Sequence, residues 1–142
     1  MNYLIDTNVA SELISASPDP RVERWIQSVD EDTVHVSAIT IGELRYGIER
    51  LTVGHKRSRL EEWLAGLFLP RFEGRLLAVT ADVGDMWGRI KASAQSVGRQ
   101  LTPADGLIAA TAFCHDLVLV TRNVGDFAAT GVELLNPWHD AG

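Results

Sequence analysis

The sequence predicts a parallel α/β protein, and three observations carry that expectation. Short apolar runs recur at residues 3–6, 34–36, 76–79, 117–121 and 132–135, with the length of buried strands. Segments of helical period lie between most of them, which implies strands joined by helical crossovers. The chain has 142 residues, 46% of them apolar and 23% charged, enough for a substantial core and ordinary for a globular protein. Residues 1–142 are therefore expected to form one domain.

The elements follow in order. Tyr3-Leu4-Ile5-Asp6 is an apolar strand that stops at an acid. Val9 to Ile14 reads as a short helix. Ser17-Pro18-Asp19-Pro20 breaks it, and Asp19 with Pro20 behind it starts a second helix running to about Val29, with Trp25, Ile26 and Val29 on its apolar stripe. Asp30-Glu31-Asp32 is a polar turn before the strand Val34-His35-Val36. A helix over Ile39–Leu51 carries Ile41, Leu44 and Ile48 at helical spacing, and Gly42 and Gly47 are expected to allow a close backbone approach. Lys56–Leu69 is the next helix, with Leu60, Trp63, Leu64 and Leu67 on one side and Pro70 as its end. Leu76–Val79 is a strand, and Thr80 caps a helix reaching about Val97. Thr102-Pro103-Ala104-Asp105 opens a helix to about His115, with Thr102 as cap and Asp105 in the positive first turn. Leu117–Thr121 and Val132–Leu135 are the last strands.

The functional reading starts from topology. In a parallel sheet, ligands bind beyond the carboxyl ends of the strands. Asp6 ends the first strand there. A helix following a strand starts at that edge, which places Glu43. A helix preceding a parallel strand also starts there, which places Asp105. Asp126 lies just past the fourth strand. Four acids distant in sequence thus converge. Clustered carboxylates favour their neutral forms unless a cation is present, and hard ions such as Mg²⁺ or Mn²⁺ prefer oxygen ligands. Two such ions can activate water and stabilise a leaving oxygen in phosphodiester cleavage. Thr7, Asn8, Thr121 and Asn123 are placed to orient the carboxylates or waters. Taken singly, each acid could be a cap, a turn residue or a surface charge; their convergence is the signal.

Other features limit the alternatives. With no His cluster beside the acids and one cysteine, zinc is disfavoured. Cys114 and His115 are helix neighbours that do not face each other, so they form no nucleophile–base pair; Cys114 is expected in the core. Trp25, Trp63 and Trp87 take core-like positions. There is no glycine-rich phosphate loop, no apolar run long enough to span a membrane and no signal-peptide pattern, so a cytoplasmic protein is expected. The net charge of −6 opposes broad attraction to nucleic acid. Residues 44–75 nonetheless carry seven basic residues against four acids.

Across nearly its whole length the chain resembles a PIN-domain nuclease of the FitB-like branch of VapC toxins. The resemblance rests on Leu4-Ile5-Asp6-Thr7-Asn8-Val9, Thr40-Ile41-Gly42-Glu43-Leu44-Arg45-Tyr46-Gly47, Thr102-Pro103-Ala104-Asp105, Thr121-Arg122-Asn123 with Asp126-Phe127, and Asn136-Pro137-Trp138. It implies an α/β/α sandwich with a five-stranded parallel sheet. It also implies Mg²⁺- or Mn²⁺-dependent endoribonuclease activity, a homodimer, and inhibition by a cognate antitoxin. A haloacid dehalogenase phosphatase would need an acid where Asn8 stands, and a receiver domain one at Val79-Thr80. A non-catalytic PIN-like binding module, or a DNA-binding partner in a regulatory complex, is the other reading the sequence leaves open.

Overall fold

The computed structural model describes residues 1–139; residues 140–142 of the expected domain lie outside them. The strands are β1 (Tyr3–Ile5), β2 (Val34–Ser37), β3 (Leu76–Leu77), β4 (Val118–Val120) and β5 (Leu134–Leu135). They form one parallel sheet in the order β3-β2-β1-β4-β5, with β1 at its centre. Tyr3 pairs with Val34 on one side and Val118 on the other, so the central strand ends level with β4 and one residue short of β2. Helices cover both faces, as a parallel sheet requires. Alternation along the strands divides the core. Ile5, Val34, Val36 and Val120 pack with Trp25, Ile48, Trp63 and Phe68 on one face, while Leu4 and Leu119 pack with Val83, Ile108 and Phe127 on the other.

The helices are α1 (Thr7–Glu12), α2 (Pro20–Ser28), α3 (Ala38–Glu49), α4 (His55–Trp63), α5 (Leu69–Arg71), α6 (Ala81–Ser96), α7 (Pro103–Cys114) and α8 (Val124–Phe127). Three expected caps are present. Asp19 accepts from the Arg21 N–H at 2.9 Å, Thr80 from Val83 at 3.3 Å and Thr102 from Asp105 at 3.1 Å. The first helix starts two residues before the expected Val9, because Asp6 itself caps it and its carbonyl accepts from Val9 and Ala10. β3 and β5 are shorter than their apolar runs: each is an edge strand, and past Ser37 the neighbouring chain has already turned into α3.

The largest departure lies between α4 and α5. Pro70 does not end the helix. Residues Leu64–Phe68 form a π turn, with the Leu69 N–H donating to the Leu64 carbonyl, and helical backbone continues through Pro70. A π turn inserts a residue into the helical count, so the apolar stripe rotates. Phe68 is 2% exposed and Leu67 is 67% exposed, the reverse of the expected placement of Leu67. Gly42 and Gly47 make no close approach either: a Cβ on either would meet nothing within 4 Å. α6 lies antiparallel to α7, the Asp82 carbonyl accepting from the Cys114 thiol at 3.7 Å. Cys114 is exposed rather than in the core, because the thiol sits on the outer side of the last turn of α7. His35 is satisfied within the sheet: its Nδ1 is 3.2 Å from the Tyr3 carbonyl and 3.1 Å from the Thr33 carbonyl, so that nitrogen carries the proton.

Candidate active site

At the carboxyl end of β1 the chain turns directly into α1, and Asp6 occupies the junction. Its N–H still belongs to the sheet, donating to the Val120 carbonyl at 2.9 Å. Its side chain is 4% exposed and receives three hydrogen bonds. The Thr7 N–H donates to Oδ1 at 2.8 Å, and the Thr121 hydroxyl and Asn8 amide donate to Oδ2 at 2.8 and 3.3 Å. Burial pushes the Asp6 carboxyl above its ordinary pKa. These three donors pull it back, and the charge of Asp126 adds to the rise. Asp6 is thus aimed and partly charge-stabilised, yet still short of a positive partner.

Glu43 sits on the second turn of α3, which starts where β2 ends. The Thr7 hydroxyl is 2.5 Å from Glu43 Oε1 and 3.3 Å from the buried Thr40 hydroxyl. It has one proton, and the carboxylate is the stronger acceptor, so Thr7 ties α1 to Glu43. Asp105 is half-buried in the first turn of α7, its N–H donating to Thr102. Its carboxyl is also raised: burial contributes most, followed by the charge of Asp6, and the charges of Glu43 and Asp126 add to it against a hydrogen bond from Thr102. Asp126 is exposed on α8, its N–H donating to the Asn123 carbonyl at 3.0 Å. Asp105 therefore lies within reach of the charges of Asp6, Glu43 and Asp126, and Asp6 within reach of that of Asp126.

The polar residues around them differ from expectation in detail. Thr7, Asn8 and Thr121 contact the acids through their side chains. Asn123 contributes its backbone N–H, which donates to the Thr121 hydroxyl at 3.0 Å, and its side chain caps nothing. Asn8 works in two directions, its amide oxygen accepting from the Arg122 N–H at 3.2 Å. Sequence reasoning missed two residues here. Thr40 stands three residues before Glu43, a helical spacing that puts it on the same face. Asn136 accepts from the Trp138 N–H at 2.9 Å and donates to the Arg122 carbonyl at 3.5 Å, anchoring the turn that carries Thr121. No periodicity marks that second role; only the β4–β5 pairing creates it.

The donor set suits a hard cation: four carboxylates, with two acids raised by burial and mutual repulsion that a positive ion would relieve. As the side chains stand, no three His, Cys, Asp or Glu among the described residues are grouped so as to hold one ion. Glu43 Oε1 is engaged by the Thr7 hydroxyl, and Asp126 is exposed. An apolar groove of about 180 Å³ opens beside Thr7 and Glu43 and runs between α1, α3 and α4, lined by Leu44, Ile48, Leu60 and Trp63. No helix among the described residues is long and apolar enough to cross a membrane.

Comparison with known proteins gives the family. A family model described as PIN domain matches residues 3–132. The chain is 42% identical to Toxin FitB of Neisseria gonorrhoeae over 137 residues, covering 96% of this chain and 99% of that protein. It is 38% identical to a VapC ribonuclease of Sinorhizobium fredii, covering 97% and 99%. Among solved structures it superposes on FitAcB from Neisseria gonorrhoeae with a TM-score of 0.91 at 42% identity, over 96% of this chain and 99% of that one. A family model over residues 3–132 and full-length relatives at 42% and 38% identity, on a five-stranded parallel sheet, make this chain a member of the PIN-domain family.

Proposed function

We propose that this protein is a metal-dependent endoribonuclease that acts as the toxin of a toxin–antitoxin pair. One observation carries the chemistry: Asp6 at the end of β1, Glu43 on α3 tied by Thr7 to the start of α1, and Asp105 in the first turn of α7 come together, close enough that the charges of Asp6, Glu43 and Asp126 raise the Asp105 carboxyl. Such a cluster is unfavourable in itself and favourable around a divalent cation. The residues that would hold Mg²⁺ or Mn²⁺ are Asp6, Glu43, Asp105 and Asp126. When bound, such an ion supplies Lewis-acid activation of water and of the phosphodiester.

The chain's own groups have separate tasks. Three donors orient the Asp6 carboxyl and oppose the burial that raises its pKa, so it can act as the fixed anchor of the set. Thr7 orients Glu43, and the Thr102 turn presents Asp105. Thr121 joins the Asp6 carboxylate to the backbone of the β4 turn. No side chain is assigned as nucleophile. The toxin assignment is supported by relatives named Toxin FitB and VapC ribonuclease. The groove between α1, α3 and α4 offers an antitoxin helix or tail an apolar bed that reaches Glu43. There a basic residue would pair with the carboxylates and compete with the cation.

The test is cleavage of single-stranded RNA by the purified chain with Mg²⁺ or Mn²⁺, repeated with EDTA. It is paired with co-expression with the product of any small reading frame that adjoins its gene. Metal-dependent cleavage, silenced in a stable complex, is expected. Cleavage that survives EDTA would remove the metal mechanism. A complex that cuts as fast as the free chain, or no complex, would leave a stand-alone nuclease.

A further inference from the structure

We infer that Trp87 is a positioning residue for Asp105, acting through a contact with the backbone of Gly106 that only a glycine permits. The inference rests on the reading that Asp105 belongs to the cation-binding set. Gly106 is buried in α7, directly after Asp105. A Cβ built on it would lie 2.8 Å from both Cδ1 and Nε1 of the Trp87 indole. Among the described glycines, no other has any atom within 4 Å of such a Cβ. Gly106 is also not among the glycines with positive φ, which are Gly74, Gly98 and Gly131. Its backbone is one that alanine adopts more readily in a helix. What the glycine supplies is space for an aromatic ring against the helix axis.

The indole is half-buried. It packs on the core cluster that contains Leu4, Val83, Ile90 and Ile108, and the Lys91 ammonium lies 5.0 Å from its ring centroid, one turn further along α6. Trp87 therefore fixes where the first turns of α7 sit against α6. Asp105 needs such a fixture. Its hydrogen bond to Thr102 lies within the same helical turn, so it orients the residue within α7 but cannot set that turn relative to Asp6 and Glu43. The Trp87–Gly106 contact, one residue from Asp105, seats this turn together with the packing of α7 on α3 and β4.

Mn²⁺ titration calorimetry and RNA cleavage on the full chain test this, with thermal unfolding recorded for every variant. The set is Trp87→Ala, Trp87→Phe, Gly106→Ala, the double variant Gly106→Ala/Trp87→Ala, and Asp105→Asn as reference. Loss of a residue that supports a metal ligand weakens affinity by about 10–100-fold. That loss is expected for Trp87→Ala and for Gly106→Ala, with partial rescue in Trp87→Phe. The double variant should bind no more weakly than Trp87→Ala alone, because the clash and the contact are one interaction. Should Trp87→Ala fail to fold, Trp87→Phe and Gly106→Ala carry the same comparison. Lower thermal stability with unchanged Mn²⁺ affinity in the folded variants would make Trp87 merely structural and overturn the inference, provided Asp105→Asn weakens binding. If the parent chain binds no Mn²⁺, or Asp105→Asn binds as tightly, the metal reading itself fails and the inference falls with it.

Discussion

Replacing Thr121 by Val keeps the shape of a fully buried side chain and removes its hydroxyl. That hydroxyl donates to Asp6 Oδ2 at 2.8 Å and accepts from the Asn123 N–H at 3.0 Å and the Asn8 amide at 3.4 Å. Asn123 is exposed, so water can replace its partner, and Asn8 still reaches Asp6 at 3.3 Å. The net loss is one buried hydrogen bond to a charged acceptor, about 2–3 kcal/mol. For a chain of this size that is a fall of roughly 7–10 °C in Tm. The sign of the pH dependence follows from Asp6. Its folded pKa is raised, so its contribution to stability is present below the unfolded pKa and is lost as pH rises through the folded value. The Thr121 hydrogen bond opposes that rise, so removing it raises the pKa further. The variant should therefore be most destabilised near neutral pH. The deficit should shrink to about 1 kcal/mol once Asp6 is protonated, where only a neutral hydrogen bond is missing. The acid limb of metal-dependent cleavage should move to higher pH in the same variant. Urea unfolding of both proteins in EDTA, at several pH values spanning the carboxylate range, measures this directly. A deficit below about 0.5 kcal/mol, or one that does not change with pH, refutes the assignment of Thr121 as a donor to ionised Asp6.

Asp6→Asn should abolish RNA cleavage in a protein that retains its circular dichroism spectrum; undiminished cleavage would eliminate Asp6 from the chemistry. Cys114→Ser should retain full activity, since the exposed thiol donates to the Asp82 carbonyl, away from the four acids, and has its pKa pushed up by partial burial and by Asp82 and Asp85. An inactive but folded Cys114→Ser protein would contradict a mechanism without a side-chain nucleophile. Arg75→Ala should destabilise the fold by about 2–4 kcal/mol. Its guanidinium donates to the carbonyls of Glu31 at 2.5 Å, Val34 at 2.6 Å and Arg71 at 2.6 Å, holding the edge strand β3 to β2. Equilibrium unfolding that moves by less than about 0.5 kcal/mol would show that water satisfies those carbonyls equally well.

By itself the sequence determined the parallel sheet, the helix starts at Asp19, Thr80 and Thr102, and the gathering of Asp6, Glu43, Asp105 and Asp126 at one edge. These follow from local rules. Caps act within a turn, apolar runs report burial on both faces, and in a parallel sheet the direction of each strand fixes which end of each helix faces the site. What the tertiary structure alone decided depends on atoms brought together from far apart. The π turn at Leu64–Phe68 exchanges Phe68 for Leu67 in the core, and no periodicity announces it because the inserted residue breaks the period itself. Gly42 and Gly47 looked like points of close approach, yet the approach occurs at Gly106, since only packing of α6 on α7 brings Trp87 there. Asn123 acts through its backbone and Thr40 through a hydroxyl network, choices set by sub-ångström geometry at the ends of β1, β2 and β4. The local chain specifies which groups reach the edge of the sheet. Which atom of each group touches which carboxylate is fixed only when the two helical layers close on that sheet.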